Sequence, residues 1–444
     1  MTTLETTDVL VIGGGLAAIS AAIAAAENGA AVTVVNKGVT GTSGSSAKSA
    51  GILAASFGHG SLDGQPIDDN PTYHAADSLA VGCHLGSPEL VAIITGQACA
   101  AVSWLESHGV AFSQSKAGRF VQLSAPGNSR PRACSAIGGG NAIMRVMINV
   151  ANRMGVKFID QFSAYKLQNT CGHICGAAFC DTAGGCHHIT AGAVILCAGG
   201  ASGLFPTVSG DASNIGSGLI LGLQAGAALG NLEFVEYTLI YRVNNKLLRI
   251  AGMAPFLARG GRLLNDNGTD LLREHFANTP SEQLGRAEIL KLVQTEIILG
   301  RGPIWLDCTS FSDAVWAEFE LSQGDVVLSK IAAAGGNYRT EKIEVVPAAH
   351  SVLAGLLVDN DAATMVPGLF AAGENVTGIH GAGRLSGNGL TACVVMGRIA
   401  GKNASKVAAQ ITTNHSPPPT DITLPDRLGA DVCSELINRM RDAA

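Results

Sequence analysis

The sequence predicts an α/β protein. Three observations carry that expectation: a strand, glycine turn, alanine-rich helix and second strand follow one another at residues 8–37; a later buried strand at 191–200 ends in glycines; and the chain is glycine-rich and weakly charged. In the first stretch, Val9-Leu-Val-Ile12 is a short apolar run rich in β-branched residues, and residues 31–35 are a second one. Between them Gly13, Gly15 and Ala18 fill a GxGxxA spacing. Glycine at 13 allows a tight turn, glycine at 15 lets the backbone approach a pyrophosphate, and small Ala18 lets the helix pack on the strand. The phosphates would sit on the helix N-terminus. This frame predicts dinucleotide binding without naming the dinucleotide. Asn36 stands where an acid usually binds the ribose, and it can hydrogen bond a hydroxyl without carrying charge.

Composition bounds the rest. At 444 residues the chain is long enough for two or three domains with a deep core. Its 56 glycines and 14% charged residues imply many tight turns and much buried surface. A net charge of −6 without a basic stripe argues against nucleic acid as a partner. The apolar run 9–26 contains glycines and follows Glu5 and Asp8 rather than basic residues, so it reads as neither signal peptide nor membrane span. The expected location is cytoplasmic, with membrane association only through a partner. The 11 cysteines, an odd number without a secretory signal, read as reduced thiols. Cys171, Cys175, Cys180 and Cys186 with His173, His187 and His188 suggest a metal site at first sight. Their spacings match neither a zinc ribbon nor a common iron–sulfur run, and the segment reads as a β-hairpin around a glycine turn. No metal is expected.

Further along, residues 90–108 and 141–154 read as amphipathic helices, the second after Gly138-Gly-Gly140. The strand at 191–200 brings Ala198 and Gly199 to a place where a cofactor could lie against the backbone. No second GxGxxG follows a strand, so a separate nicotinamide domain is not expected. After Gly401 a helix running on to about Gln410, a proline-rich linker at 412–425 and one more helix at 428–440 close the chain. Asp63, Asp68 and Asp69, and likewise Glu341, Lys342 and Glu344, read as solvated charged loops.

Several blocks then align with a known pattern. They are Asn36-Lys-Gly, Ala50-Gly-Ile52, Leu196-Cys-Ala-Gly-Gly200, Glu233-Phe-Val235, Gly300-Arg-Gly-Pro-Ile-Trp-Leu-Asp307, His350 with Gly355 and Asp359, Val366-Pro-Gly-Leu-Phe-Ala-Ala-Gly-Glu374, and His380-Gly-Ala-Gly-Arg-Leu-Ser-Gly-Asn-Gly-Leu390. In these residues and in their order, the sequence at 8–401 resembles the flavoprotein family of succinate dehydrogenase, fumarate reductase and L-aspartate oxidase. The resemblance implies a Rossmann-like, discontinuous FAD-binding domain with an inserted α+β capping domain. The expected boundaries are 1–232 and 346–410 for the FAD-binding domain, 233–345 for the cap and 411–444 for linker and short helix, with the active site between domains. It also implies FAD contacts at Gly13, Gly15, Ala18, Asn36, Lys37, Gly44, Ser45, Gly51, Ala198, Gly199 and Asp211. Glu374 would meet the ribityl or ribose region, and a turn at Asn388 to Leu390 would supply backbone donors near the flavin pyrimidine. Some members carry a histidine bonded covalently to FAD where this chain has Gly44, so FAD is expected to be noncovalent.

In such a family, an activated alkene takes a hydride from flavin N5 and a proton on the neighbouring carbon, while cations polarise the substrate carboxylates. Arg384 matches the carboxylate-binding arginine, and its planar guanidinium suits a bidentate grip. His350 matches a substrate-binding histidine. Two departures stand out. Thr238, within Glu233-Phe-Val-Glu-Tyr-Thr-Leu239, replaces a second substrate histidine. Strict spacing puts Leu257 where the proton-donating arginine is expected; a two-residue deletion would give Arg259 that role, and Arg262 is an alternative. Either arginine also reads as surface charge on a β-hairpin. Most members continue into a large C-terminal helical domain, whereas here only the short helix at 428–440 follows the linker; the expectation is either a compact relative or a missing part supplied by another polypeptide. Electrons would come from a separate protein such as an iron–sulfur subunit, from a diffusible reductant, or leave to oxygen or a quinone. Two readings follow: an oxidoreductase acting on a small carboxylate, or a remodelled subunit relaying electrons within a larger complex without dicarboxylate activity.

Overall fold

Apolar residues on consecutive strand positions build a sheet buried on both faces, as parallel sheets require. Val32–Asn36 is buried along its whole length and Val9, Leu10 and Val11 are fully buried in Thr2–Ile12. The computed structural model describes all residues except 1, 59–65, 126, 251–252, 258, 278–283, 285, 322–324 and 413–444. Its contacts divide the chain into two units, one of residues up to Leu204, Asp211–Val235 and from Ser351 onward, the other of Phe205–Gly210 and Glu236–His350. The sequence places the inserted domain at 233–345 and does not detect that Phe205–Gly210 joins it. The expected linker and last helix lie outside the described residues.

In the first unit a seven-stranded sheet runs in the order Lys157–Asp160, Val32–Asn36, Thr2–Ile12, Cys186–Leu196, His173–Cys180, Ser163–Thr170. Thr2–Ile12 pairs in parallel with both of its neighbours. The end of Cys186–Leu196 takes Leu369–Ala371 in parallel, and its beginning pairs antiparallel with His173–Cys180. That hairpin is the one expected from the cysteine-rich segment. Asp181 closes its turn by accepting from the N–H groups of Ala183 at 2.9 Å and Gly185 at 2.8 Å, and Cys180 lies opposite Cys186. The strand expected at 191–200 therefore begins earlier, in the hairpin, and stops at Leu196 where the glycines turn away.

Helix Leu16–Glu27 is buried from Leu16 through Ala25, because it lies between the sheet and the long helix Asn388–Thr412. The two helices touch backbone to backbone: a Cβ at Gly397 would stand 2.5 Å from the carbonyl oxygen of Ala17, and one at Gly401 2.1 Å from that of Ala21. Alanines and glycines spaced by four residues make this close approach possible. Helix Pro88–Ser107 starts on a Ser87 side-chain cap with proline in its first turn. It is long and apolar enough to cross a membrane, and its Leu90, Ile94, Ala98, Val102 and Leu105 face is buried in the core. The helix expected at 141–154 begins earlier, at Gly139, because packing overrides glycine's poor propensity. A Cβ at Gly140 would lie 1.9 Å from the Ser46 carbonyl oxygen.

The charged loops are not simply solvated. Asp69 and Arg132 form an ion pair at 2.7 Å with no side-chain exposure on either partner, and Arg132 also binds Asp77. Glu344 is paired with Arg242 at 2.5 Å. Asp63 lies outside the described residues.

The second unit is a five-stranded sheet in the order Lys246–Leu248, Val235–Val243, Ile343–Val352, Ile304–Asp307, Arg262–Leu264. Its core gathers Tyr241, Phe256, Leu257, Trp316 and Phe319, with the Phe256 and Phe319 rings 4.3 Å apart. Helices such as Arg286–Ile298 complete an α+β arrangement.

Candidate functional site

The glycine turn ties three strand ends together. Gly13 donates to the Val35 carbonyl at 2.8 Å and Cys197 donates to that of Ile12 at 2.8 Å. Gly13 has φ +126, and a Cβ there would stand 2.1 Å from the Cys197 oxygen, so only glycine fits. Gly15 caps helix Leu16–Glu27 with no side-chain cap and no acidic residue in the first turn. The positive end of the helix is met by a neutral hydroxyl, Ser46 Oγ, which accepts from Leu16 N at 3.0 Å. Ala18 is fully buried beneath it. Asn36 is buried too: its Nδ2 donates to Ser43 Oγ at 3.0 Å, and a Cβ at Gly14 would come within 2.4 Å of the same nitrogen. The identity of Asn36 is thus bound to packing over the turn as well as to any ribose.

A second strap lies beside it. Asp211 accepts from Gly44 N at 2.7 Å, Lys48 Nζ at 2.9 Å and Ser213 N at 2.9 Å. Burial opposes its charge, but the hydrogen bonds from Lys48, Ser213 and Gly44 prevail and hold the carboxyl below the usual range. Lys37 donates to the Ser213 carbonyl, and burial lowers the pKa of its ammonium against the pull of Asp211. Asn214 donates to Ser45 Oγ at 2.9 Å and closes over Gly199, whose Cβ would lie 2.8 Å from its Oδ1. Gly51, with φ +71, is pressed against the backbone of Gly139. Gly44, with φ +81, has open space where a Cβ would be.

Beyond the strand end, Ala198 N donates to Asn375 Oδ1 at 2.5 Å and Asn375 Nδ2 donates to the Gly199 carbonyl at 2.9 Å. Glu374 accepts from Gly200 N at 3.1 Å and from Ser351 Oγ at 2.9 Å. Asn375, fully buried, does not stand out in the sequence, although a lone asparagine after an apolar strand and a glycine is the signal that could mark it. Ser46, Asn214 and His74 are missed in the same way. A helix N-terminus met by no negative charge, strained glycines and open space at Gly44 together fit an extended dinucleotide such as FAD.

Asn388 opens the long helix and is buried, with Nδ2 donating to Ser78 Oγ at 2.8 Å and Oδ1 2.8 Å from His74 Nε2. A Cβ at Gly389 would lie 2.8 Å from Arg384 Nη1, so the guanidinium rests on the first turn of this helix. Leu390 follows, half-buried against the core.

The second unit carries the remaining predicted residues. Thr238 is buried on strand Val235–Val243. His350, on strand Ile343–Val352, is held through Nδ1 at 2.7 Å from Ser209 Oγ. Leu257 is a core residue with 3% exposure, which excludes it from solvent-facing chemistry. Arg259 follows helix Ala254–Leu257 in a turn, its guanidinium 5.4 Å from the Phe319 ring centroid; it is not on a hairpin strand. Arg262 is on a strand and is committed to Asp307 at 2.6 Å, its partner in register.

The family model described as FAD binding domain matches residues 8–390. An L-aspartate oxidase of Agrobacterium fabrum is 30% identical over 419 residues, covering 91% of this chain and 76% of its own. A fumarate reductase (CoM/CoB) chain of Methanothermobacter marburgensis is 28% identical over 417 residues, covering 92% and 74%. The structure of Mycobacterium smegmatis Sdh1 in complex with UQ1 superposes with a TM-score of 0.78 at 28% identity, covering 98% of this chain and 72% of that one. With the glycine turn, the cradle around it and these likenesses together, the chain belongs to the FAD binding domain family and, within it, to the fumarate reductase, succinate dehydrogenase and L-aspartate oxidase flavoproteins, as an FAD-dependent oxidoreductase.

Proposed function

We propose that this enzyme transfers hydride between N5 of a noncovalently held FAD and a carbon of a small carboxylate-bearing substrate. The observation that carries the proposal is Arg384 lying on Gly389 at the start of the Asn388 helix. A cation is thereby fixed next to backbone donors where a carboxylate and a flavin would meet.

Gly13, Gly15 and Ala18 would take the diphosphate on the helix N-terminus. Asn36 and Lys37 would take the adenosine end, and Gly44, Ser45, Gly51, Ala198, Gly199 and Asp211 would line the middle. Glu374 would reach the ribityl or ribose hydroxyls, and Asn388 and Leu390 the pyrimidine. FAD when bound supplies the hydride donor or acceptor, while the protein sets its electronics through these donors. The open space at Gly44 offers no side chain for a covalent link.

On the substrate, Arg384 would grip a carboxylate. Ser209 orients His350 for a second contact. The Thr238 hydroxyl replaces a cationic partner with a neutral donor and so weakens the hold on a second carboxylate. Arg259 would deliver the proton. The unit Glu236–His350, with Phe205–Gly210, would be the cap, and a separate iron–sulfur subunit would exchange electrons with the flavin.

Buried Thr238 and core-bound Leu257 favour a second reading, a subunit that relays electrons and has lost dicarboxylate activity. One experiment separates the two. Reduced holoenzyme is mixed anaerobically with a panel of unsaturated carboxylic acids, and flavin reoxidation is followed optically. Saturable reoxidation by at least one acid is expected; none across the panel would favour the relay. Acid precipitation should release all FAD into the supernatant, and flavin left on the pellet would overturn noncovalent binding.

A further inference from the structure

His74 is fully buried on helix Pro71–Val81 and is used by none of the roles above. Its Nε2 lies 2.8 Å from Asn388 Oδ1, while its Nδ1 is buried with no hydrogen-bond partner among the described residues. One turn on, Ser78 donates its only proton to the His74 carbonyl at 2.8 Å. Ser78 Oγ can therefore only accept from Asn388, which fixes the carboxamide with Nδ2 toward Ser78 and Oδ1 toward His74. His74 must then donate from Nε2, leaving Nδ1 bare in a neutral ring. Burial, with Arg132 nearby, keeps the ring neutral by lowering its pKa to about 4, against the smaller upward pulls of Asn388, Asp69 and Asp77.

The helix bearing this pair is itself pinned. Asn70 caps it, accepting from Thr72 N at 2.9 Å and Tyr73 N at 3.1 Å. Arg132 ties its start to its middle by binding Asp69 and Asp77. A rigid block thus holds both ends of one carboxamide, at the residue that opens helix Asn388–Thr412. A buried, incompletely satisfied imidazole is a costly way to stabilise a helix start. It is a good way to fix its orientation.

We propose that His74 and Ser78 are positioning residues for the flavin: by clamping the Asn388 carboxamide they aim the backbone N–H groups of the following turn at the isoalloxazine pyrimidine. This rests on the assignment of Asn388 to Leu390 to that ring. Correctly aimed donors stabilise the reduced, anionic flavin more than the oxidised one, so the clamp raises the flavin midpoint potential.

The test is the midpoint potential and visible spectrum of the purified holoenzyme. His74→Phe, which keeps the ring and removes the donor, should lower the preference for reduced over oxidised FAD about tenfold, read as a fall of about 30 mV for a two-electron couple. His74→Gln, which can still donate, should restore the wild-type potential. Ser78→Ala should shift it in the same direction as His74→Phe, and decides the matter if the latter does not fold. Wild-type potentials in His74→Phe, or in Ser78→Ala in its place, would overturn the clamp. Asn388→Ala separates the layers: a shift there with none in the clamp variants strikes the clamp alone, whereas no shift in Asn388→Ala strikes the underlying flavin assignment as well.

Discussion

The side chains of Arg132 and Asp69 are both fully buried, joined by Nε to both carboxylate oxygens at 3.1 and 2.9 Å and by Nη2 to Oδ1 at 2.7 Å. Removing one partner leaves a charge stranded in the interior, which costs about 3–5 kcal/mol. Asp69→Asn should therefore lower the urea midpoint strongly, by a large part of a typical domain's stability. An unchanged midpoint would mean that Arg132 is satisfied by Asp77 alone.

His74 makes stability depend on pH in a defined window. Its folded pKa of about 4 lies below the ordinary histidine value of 6.5, so between these values the unfolded chain binds a proton that the fold refuses. Stability should be complete above about 6.5 and fall as pH drops toward 4, by about 3 kcal/mol. The lowered carboxyls of Asp77 and Asp211 act in a lower window, stabilising above about 4 and losing that contribution as pH falls further. Denaturant titrations from pH 4 to 8 should show the slope in wild type and its loss in His74→Gln. An equal slope in both would refute the assignment.

Gly13→Ala should abolish FAD loading or weaken it by at least about tenfold, about 1.4 kcal/mol, because the new methyl meets the Cys197 carbonyl oxygen at 2.1 Å with φ at +126. Fluorescence titration of apoprotein with FAD measures this. Wild-type affinity would contradict the geometry of the turn.

The glycine turn, the cysteine-rich hairpin and the last part of the long helix were legible in the sequence because local spacing dictates them, whereas the start of that helix at Asn388, expected as a turn, was not. Gly13 needs its positive φ whatever the rest of the chain does. Asn375, His74 and Arg132 were not legible, since each is defined by partners distant in the chain: Asn375 by Ala198 and Gly199, His74 by Asn388, Arg132 by Asp69 and Asp77. Nothing local distinguishes Asp69 from a solvated loop acid. Helix Gly139–Arg153 begins before its sequence signal because contact with Ser46, remote in sequence, outweighs propensity. Of the residues proposed to meet substrate, Arg384 and His350 came from blocks that resemble the family's pattern, whereas Arg259 needed an assumed two-residue deletion, and in the structure it follows helix Ala254–Leu257 in a turn.

The central claim is that Arg384 serves a carboxylate substrate beside the flavin, and single-turnover reoxidation of reduced Arg384→Ala holoenzyme tests it most directly. With the acid that best reoxidises wild type, the variant should retain FAD and react about a hundredfold more slowly, the loss of one to two charge-assisted hydrogen bonds of about 1.5–3 kcal/mol each. Reoxidation at the wild-type rate with full FAD content would contradict it.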